Sequence, residues 1–80
     1  MPTVLRFEGF RFFFYSNEGD PREAAHVHVE RGGGAAKLWL MPSVSVADSI
    51  GFGRKDLSEL IEIVETHRDR LERAWRDHFG

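Results

Sequence analysis

Ala25-His26-Val27-His28-Val29-Glu30 alternates apolar and polar side chains without a break. Side chains along a strand take opposite faces in turn, so this period of two predicts a β-strand with His26 and His28 on one face and Val27 and Val29 on the other. Gly32-Gly33-Gly34 then reads as a turn, and Ala36-Lys37-Leu38-Trp39-Leu40-Met41 as the returning strand. Matching Val29 with Leu38 and Val27 with Leu40 keeps one face apolar, and it sets Glu30 opposite Lys37 and His28 opposite Trp39.

The same alternation appears upstream. Val4-Leu5-Arg6-Phe7 and Phe10-Arg11-Phe12-Phe13-Phe14-Tyr15 flank Glu8-Gly9, a two-residue hairpin turn in which glycine supplies a positive φ. Pairing Phe7 with Phe10 places Leu5 opposite Phe12, Arg6 opposite Arg11 and Val4 opposite Phe13. Asn17 to Ala24, with Gly19, Asp20 and Pro21, is a polar loop that ends this hairpin. Downstream, Pro42-Ser43 interrupts the pattern, and Val44-Ser45-Val46-Ala47 reads as a short fifth strand or an extended edge.

Beyond Gly53 the period changes. Leu57, Leu60, Ile61, Val64, Leu71 and Trp75 fall on one helical stripe, which predicts a single helix from about Arg54 to His78. Gly53 serves as N-cap, Asp56 lies at the third helical position near the positive dipole end, and Phe52 can staple onto Leu57. Such a helix would run about 37 Å. The expected architecture is one α+β domain over residues 1–80: a four- to five-stranded, mainly antiparallel sheet built from two consecutive hairpins, residues 3–16 and 25–41. A single long C-terminal helix, about 54–78, packs on one of its faces.

That helix would cover Leu5, Phe7, Phe10, Phe12, Phe14, Val27, Val29, Leu38 and Leu40. The other face would carry Val4, Arg11, Phe13, Tyr15, His26, His28, Lys37, Trp39 and Met41, and an aromatic and basic face left open is a binding or self-association surface.

Composition narrows the function classes. Eighty residues support one small core, and such a chain often leans on a partner. There is no cysteine, hence no disulfide framework and no thiolate metal site. The opening residues lack a basic region followed by an apolar run, and no stretch approaches the roughly 20 apolar residues of a membrane span, so a soluble, cytoplasmic protein without membrane contact is expected. Eleven basic against thirteen acidic side chains give a formal charge of −2, which is no global footprint for nucleic acid. Seven Phe, two Trp and one Tyr exceed what a single small core readily uses, so some should face a partner.

Met1 to Arg6, the run Arg11 to Gly19, His26-Val27-His28-Val29-Glu30, Ala36 to Leu40, Gly51-Phe52, Trp75 and Phe79-Gly80 together resemble a small prokaryotic family catalogued as domain of unknown function 4160. The resemblance covers nearly the full length. The chain departs from the family's pattern at Ala24-Ala25, where prolines are typical, and at Gly53, where a serine cap is common. The resemblance implies a toxin-like component of a bacterial toxin-antitoxin pair, held by a small antitoxin-like partner encoded by a neighbouring gene. It carries no assigned catalytic residues.

Three readings of His26 and His28 stand side by side. As metal ligands they lie about 6.6 Å apart along the strand, but catalytic zinc usually takes three protein ligands, and no metal or other cofactor is expected. As an acid/base pair acting on RNA, one imidazole would take the 2′-hydroxyl proton and the other protonate the leaving oxygen. Arg11 or Lys37 would stabilise the phosphorane, and Tyr15 and Trp39 would stack bases. As structural residues they would be partly buried under a loop or at an interface. Gly32 to Gly34 lacks a following helix and is a turn rather than a phosphate cradle. Arg70, Arg73 and Arg76 read as part of a solvated, mixed-charge helix face.

The preferred expectation is a protein-interaction role in which Arg11, Phe13, Tyr15, Lys37 and Trp39 form the docking face for the antitoxin-like partner, with a homodimer as another use of that surface. The alternative is a small RNA-cleaving or metal-binding enzyme using His26 and His28.

Overall fold

The computed structural model describes residues 3–15 and 24–79. Five strands, β1 (Thr3–Phe7), β2 (Phe10–Phe13), β3 (His26–Arg31), β4 (Gly34–Trp39) and β5 (Ser45–Ile50), precede two helices, α1 (Arg54–Thr66) and α2 (Arg68–Phe79). The strands lie in chain order and every neighbouring pair is antiparallel, an α+β arrangement in which the helices follow the sheet. The polar loop expected over Asn17 to Ala24 lies, Ala24 apart, outside the described residues.

In the first hairpin Phe7 faces Phe10, Arg6 faces Arg11 and Leu5 faces Phe12, as the alternation requires. The pairing then shifts at a bulge between Thr3 and Leu5, so that Phe13 meets Thr3 and not Val4. Glu8 and Gly9 both take positive φ, 54° and 81°, the combination that lets a two-residue turn match the twist of its strands.

The second hairpin is two residues out of the expected register. Val27 faces Leu38, Val29 faces Ala36, His28 faces Lys37 and His26 faces Trp39, so Glu30 opposes Ala35 and not Lys37. The cause is the turn, which uses only Gly32 and Gly33 while Gly34 enters β4. Gly34 is needed there for a second reason. A Cβ on it would lie 2.4 Å from the ring of Phe52, which packs against the sheet at that point. A Cβ on Gly51, at φ 78°, would lie 2.8 Å from the Gly33 carbonyl oxygen, so the two glycine segments approach backbone to backbone. The fifth strand forms at Ser45–Ile50, three residues beyond the expected end, with a bulge opposite Lys37 and Leu38.

The single helix of residues 54–78 is instead two, joined at His67. A straight helix of that length would run about 37 Å, longer than the 33 Å maximum extent of the whole molecule. The i to i−4 bonding is kept on either side of His67, Leu71 N–H donating to the His67 carbonyl at 3.0 Å, so the break is a change in the backbone angles of His67 itself. The Ile63 carbonyl accepts both the His67 backbone N–H at 3.1 Å and its ring Nδ1–H at 2.9 Å. His67 takes φ −104° and ψ 15°, and the next residue, Arg68, donates to the Pro42 carbonyl at 2.9 Å. At the other end, Gly53 is the N-cap as expected, and its N–H donates to the Asp56 carboxylate at 3.3 Å.

Leu5, Phe10, Phe12, Phe14, Val27, Val29, Leu38 and Leu40 form the sheet side of the core, and Leu60, Ile63, Val64, Leu71 and Trp75 the helix side. Phe7 belongs to the expected covered set but is 40% exposed. Arg31 closes the end of this core. Its guanidinium lies 3.7 Å over the Phe10 ring, donates to the Glu8 carbonyl at 2.9 Å and pairs with Asp56 at 3.1 Å, so one side chain ties β3 to the first turn and to α1. Among the described residues no helix is long and apolar enough to cross a membrane.

Candidate functional site

Register decides which side chains meet on the sheet face turned away from the helices. Across β2, β3, β4 and β5 one row runs Phe13, His28, Lys37, Asp48. The row beside it on one side pairs Arg11 with Glu30, and on the other side His26, Trp39 and Ser45 line up. All seven residues singled out from the sequence therefore come together in one cluster.

Its geometry is a run of ring contacts. Phe13 stacks on His28 at 5.8 Å, Tyr15 stands edge-on to His28 at 4.5 Å, and the His26 and His28 rings are 5.3 Å apart. His26 meets Trp39 at 5.5 Å. Two cations cap the run: the Arg11 guanidinium lies 4.2 Å over Phe13, and the Lys37 ammonium 4.5 Å over Trp39. Both are arrangements in which the ring quadrupole attracts the charge.

Burial divides the cluster. Tyr15 is 39% exposed and Met41 44%, while His28, Lys37 and Trp39 are half-buried. Phe13 and His26 are buried, which corrects the expectation that this whole face lies open. His26 is covered partly from the helix layer, the Trp75 ring of α2 lying 4.8 Å away. Its Nδ1 lies 2.9 Å from the Ala24 carbonyl oxygen, and since a carbonyl only accepts, the Nδ1–H is the donor.

The charge of Arg11 is compensated by Glu30. Arg11 donates from Nε and Nη2 to one oxygen of Glu30, at 3.0 and 2.8 Å, and from Nη1 to the Thr3 hydroxyl at 3.1 Å. The bulge at Val4 is what brings Thr3 level with Phe13 and within reach of Arg11. Among the described residues no group of three or more His, Asp or Glu side chains is placed to hold a metal ion. The residues missed from the sequence are Asp48 and Ile50, which with His28 and Lys37 line a shallow depression of about 180 Å³. The β-branched and serine-rich run continuing to Ile50 was the available signal for them.

No curated protein matches the chain, and no solved structure does. Residues 9–76 match the family described as Domain of unknown function (DUF4160), and with most of its length inside that match the chain belongs to this family.

Proposed function

We propose that the chain is a toxin-like component of a bacterial toxin-antitoxin pair, working in the cytoplasm and held by a small antitoxin-like partner that docks on the β2–β4 ring cluster. One observation carries the proposal: Tyr15, His28 and Trp39, together with Lys37, present partly exposed aromatic and cationic surface on the face turned away from the helices. Tyrosine and tryptophan, amphipathic rings of limited flexibility, are enriched at protein interfaces and among their energetic hot spots. The contained charge of Arg11 and the complete burial of His26 favour docking over chemistry at this face.

The test is copurification with the product of the neighbouring gene, comparing the native chain with Tyr15→Ala/Trp39→Ala. The native chain should retain the partner and the variant, with unchanged circular dichroism, should lose it. Retention by the folded variant, or no copurification by the native chain, removes the proposal. A second copy is the competing occupant, and sedimentation of the isolated chain as a dimer that Tyr15→Ala/Trp39→Ala dissociates would assign the face to self-association.

An RNA-cleaving role keeps one supporting observation, the 5.3 Å separation of the His26 and His28 rings. Its test uses His28→Ala, because His28 is the more accessible of the two. Growth arrest equal to that caused by the native chain would end the acid/base reading.

A further inference from the structure

The helix-covered side carries a second recess that the ring cluster does not use. An open groove of about 450 Å³ runs between the β1–β2 turn and α1, within the size range of ligand-binding clefts. Phe7, Ile63 and His67 give it an apolar, aromatic lining, and Phe7 and His67 face each other with ring centres 5.1 Å apart. Phe7 sits at the last position of β1 and is 40% exposed, although its face of the sheet is otherwise core. Its partner Phe10 is fully buried, so the hairpin leaves one of the two facing rings available at the groove.

Around this lining the charge is one-sided. Glu8, Glu59 and Glu62 contribute carboxylates, and Lys55 is the one lysine or arginine among the described residues that line the groove. Glu59 is partly engaged, its oxygen lying 3.7 Å from Arg31, while Glu8 and Glu62 are exposed. Glu8 is held at the tip of the hairpin by its positive φ, on the opposite wall from the helical acids. An exposed ring between acidic walls suits a cation twice over, through its π-face and through the carboxylates.

We infer that this groove docks a basic peptide segment, an arginine or lysine lying against Phe7 between Glu8 and Glu62 and an apolar neighbour packing on Ile63. The occupant is set by charge complementarity: an acidic segment would meet three carboxylates, and an apolar one would desolvate Glu8 and Glu62 without supplying them a partner. The inference is independent of the docking face on β2–β4, and the groove would give the chain two recognition surfaces on opposite sides of its sheet.

The experiment uses the full chain and two fluorescein-labelled peptides, one alternating arginine with leucine and the other alternating glutamate with leucine, followed by anisotropy. The basic peptide should bind with an affinity that falls as salt rises, and the acidic one should not. Glu62→Lys, a substitution at an exposed helix position, should weaken binding by about ten-fold, and Phe7→Ala should do likewise. Tyr15→Ala, on the other face, should leave it unchanged. In amide shift maps of the labelled chain, perturbations should gather at Glu8, Glu62 and Ile63. No binding of the basic peptide, equal binding of both peptides, or binding that Glu62→Lys leaves intact would overturn the inference. So would a dimer of the free chain that Glu62→Lys dissociates, because a second copy would then hold the groove.

Discussion

Trp75 of α2 holds its ring 4.8 Å from that of His26, the first residue of β3. The contact joins the last helix to the His-x-His strand, and it separates two histidines that the alternation treats as equivalents. His26 is fully buried and bonded to the Ala24 carbonyl, while His28 is half-buried among Phe13, Tyr15 and Lys37.

His26→Ala should therefore lower stability by about 2–3 kcal/mol, from lost packing and a cavity beside Trp75, and His28→Ala by less than about 1 kcal/mol. Urea unfolding of the two variants measures the difference. Equal losses would show that burial does not distinguish the pair.

Gly34→Ala should cost about 2 kcal/mol or more, since its Cβ would lie 2.4 Å from the Phe52 ring. Gly33→Ala, where nothing lies within 4 Å, should stay within about 0.5 kcal/mol. In the Gly34→Ala/Phe52→Ala chain the two losses should fall short of additivity, because the second substitution removes the clash made by the first. Additive losses by thermal or urea unfolding would place the strain elsewhere.

Arg31→Lys should not substitute for arginine. The planar guanidinium stacks on Phe10 while donating to Glu8 and Asp56, and an ammonium cannot hold all three. Both Arg31→Lys and Arg31→Ala should lose about 1–2 kcal/mol, a range discounted for the partial exposure of these groups. Full stability in Arg31→Lys would reduce the site to a simple charge pair.

The Arg11–Glu30 pair joins β2 to β3 at 2.8 Å with partial exposure of both side chains. A double-mutant cycle of Arg11→Ala and Glu30→Ala should give a coupling of about 0.5–1 kcal/mol that shrinks in high salt. A coupling of zero would mean that Arg11 acts through its contacts with Phe13 and Thr3 and not through the ion pair.

The hairpin of β1 and β2 was readable because its turn length has one natural solution: Phe7 and Phe10 flank two residues able to take positive φ. The bulge at Val4 was not, since nothing in the local pattern marks where an edge strand gains a residue. The ring cluster was readable as a set, from Arg11 to Trp39, because membership of a face depends only on odd or even position. Its partition into buried Phe13 and His26 and accessible Tyr15, His28 and Trp39 was not, because cover comes from residues distant in sequence.

Alternation with a period of two determined by itself which side chains share a face, and a helical stripe determined that a helical layer follows the sheet. Those assignments survived a two-residue error in the β3–β4 register, because an even slip moves every side chain along its face and never across it. Tertiary structure decided the rest. The ring of Phe52 occupies the space a Cβ on Gly34 would need, which the shorter turn meets by bringing that glycine into β4, and the chain bends at His67 and lays Trp75 against His26. Faces are a local consequence of backbone geometry, whereas register, bending and burial depend on how separate elements fill one volume.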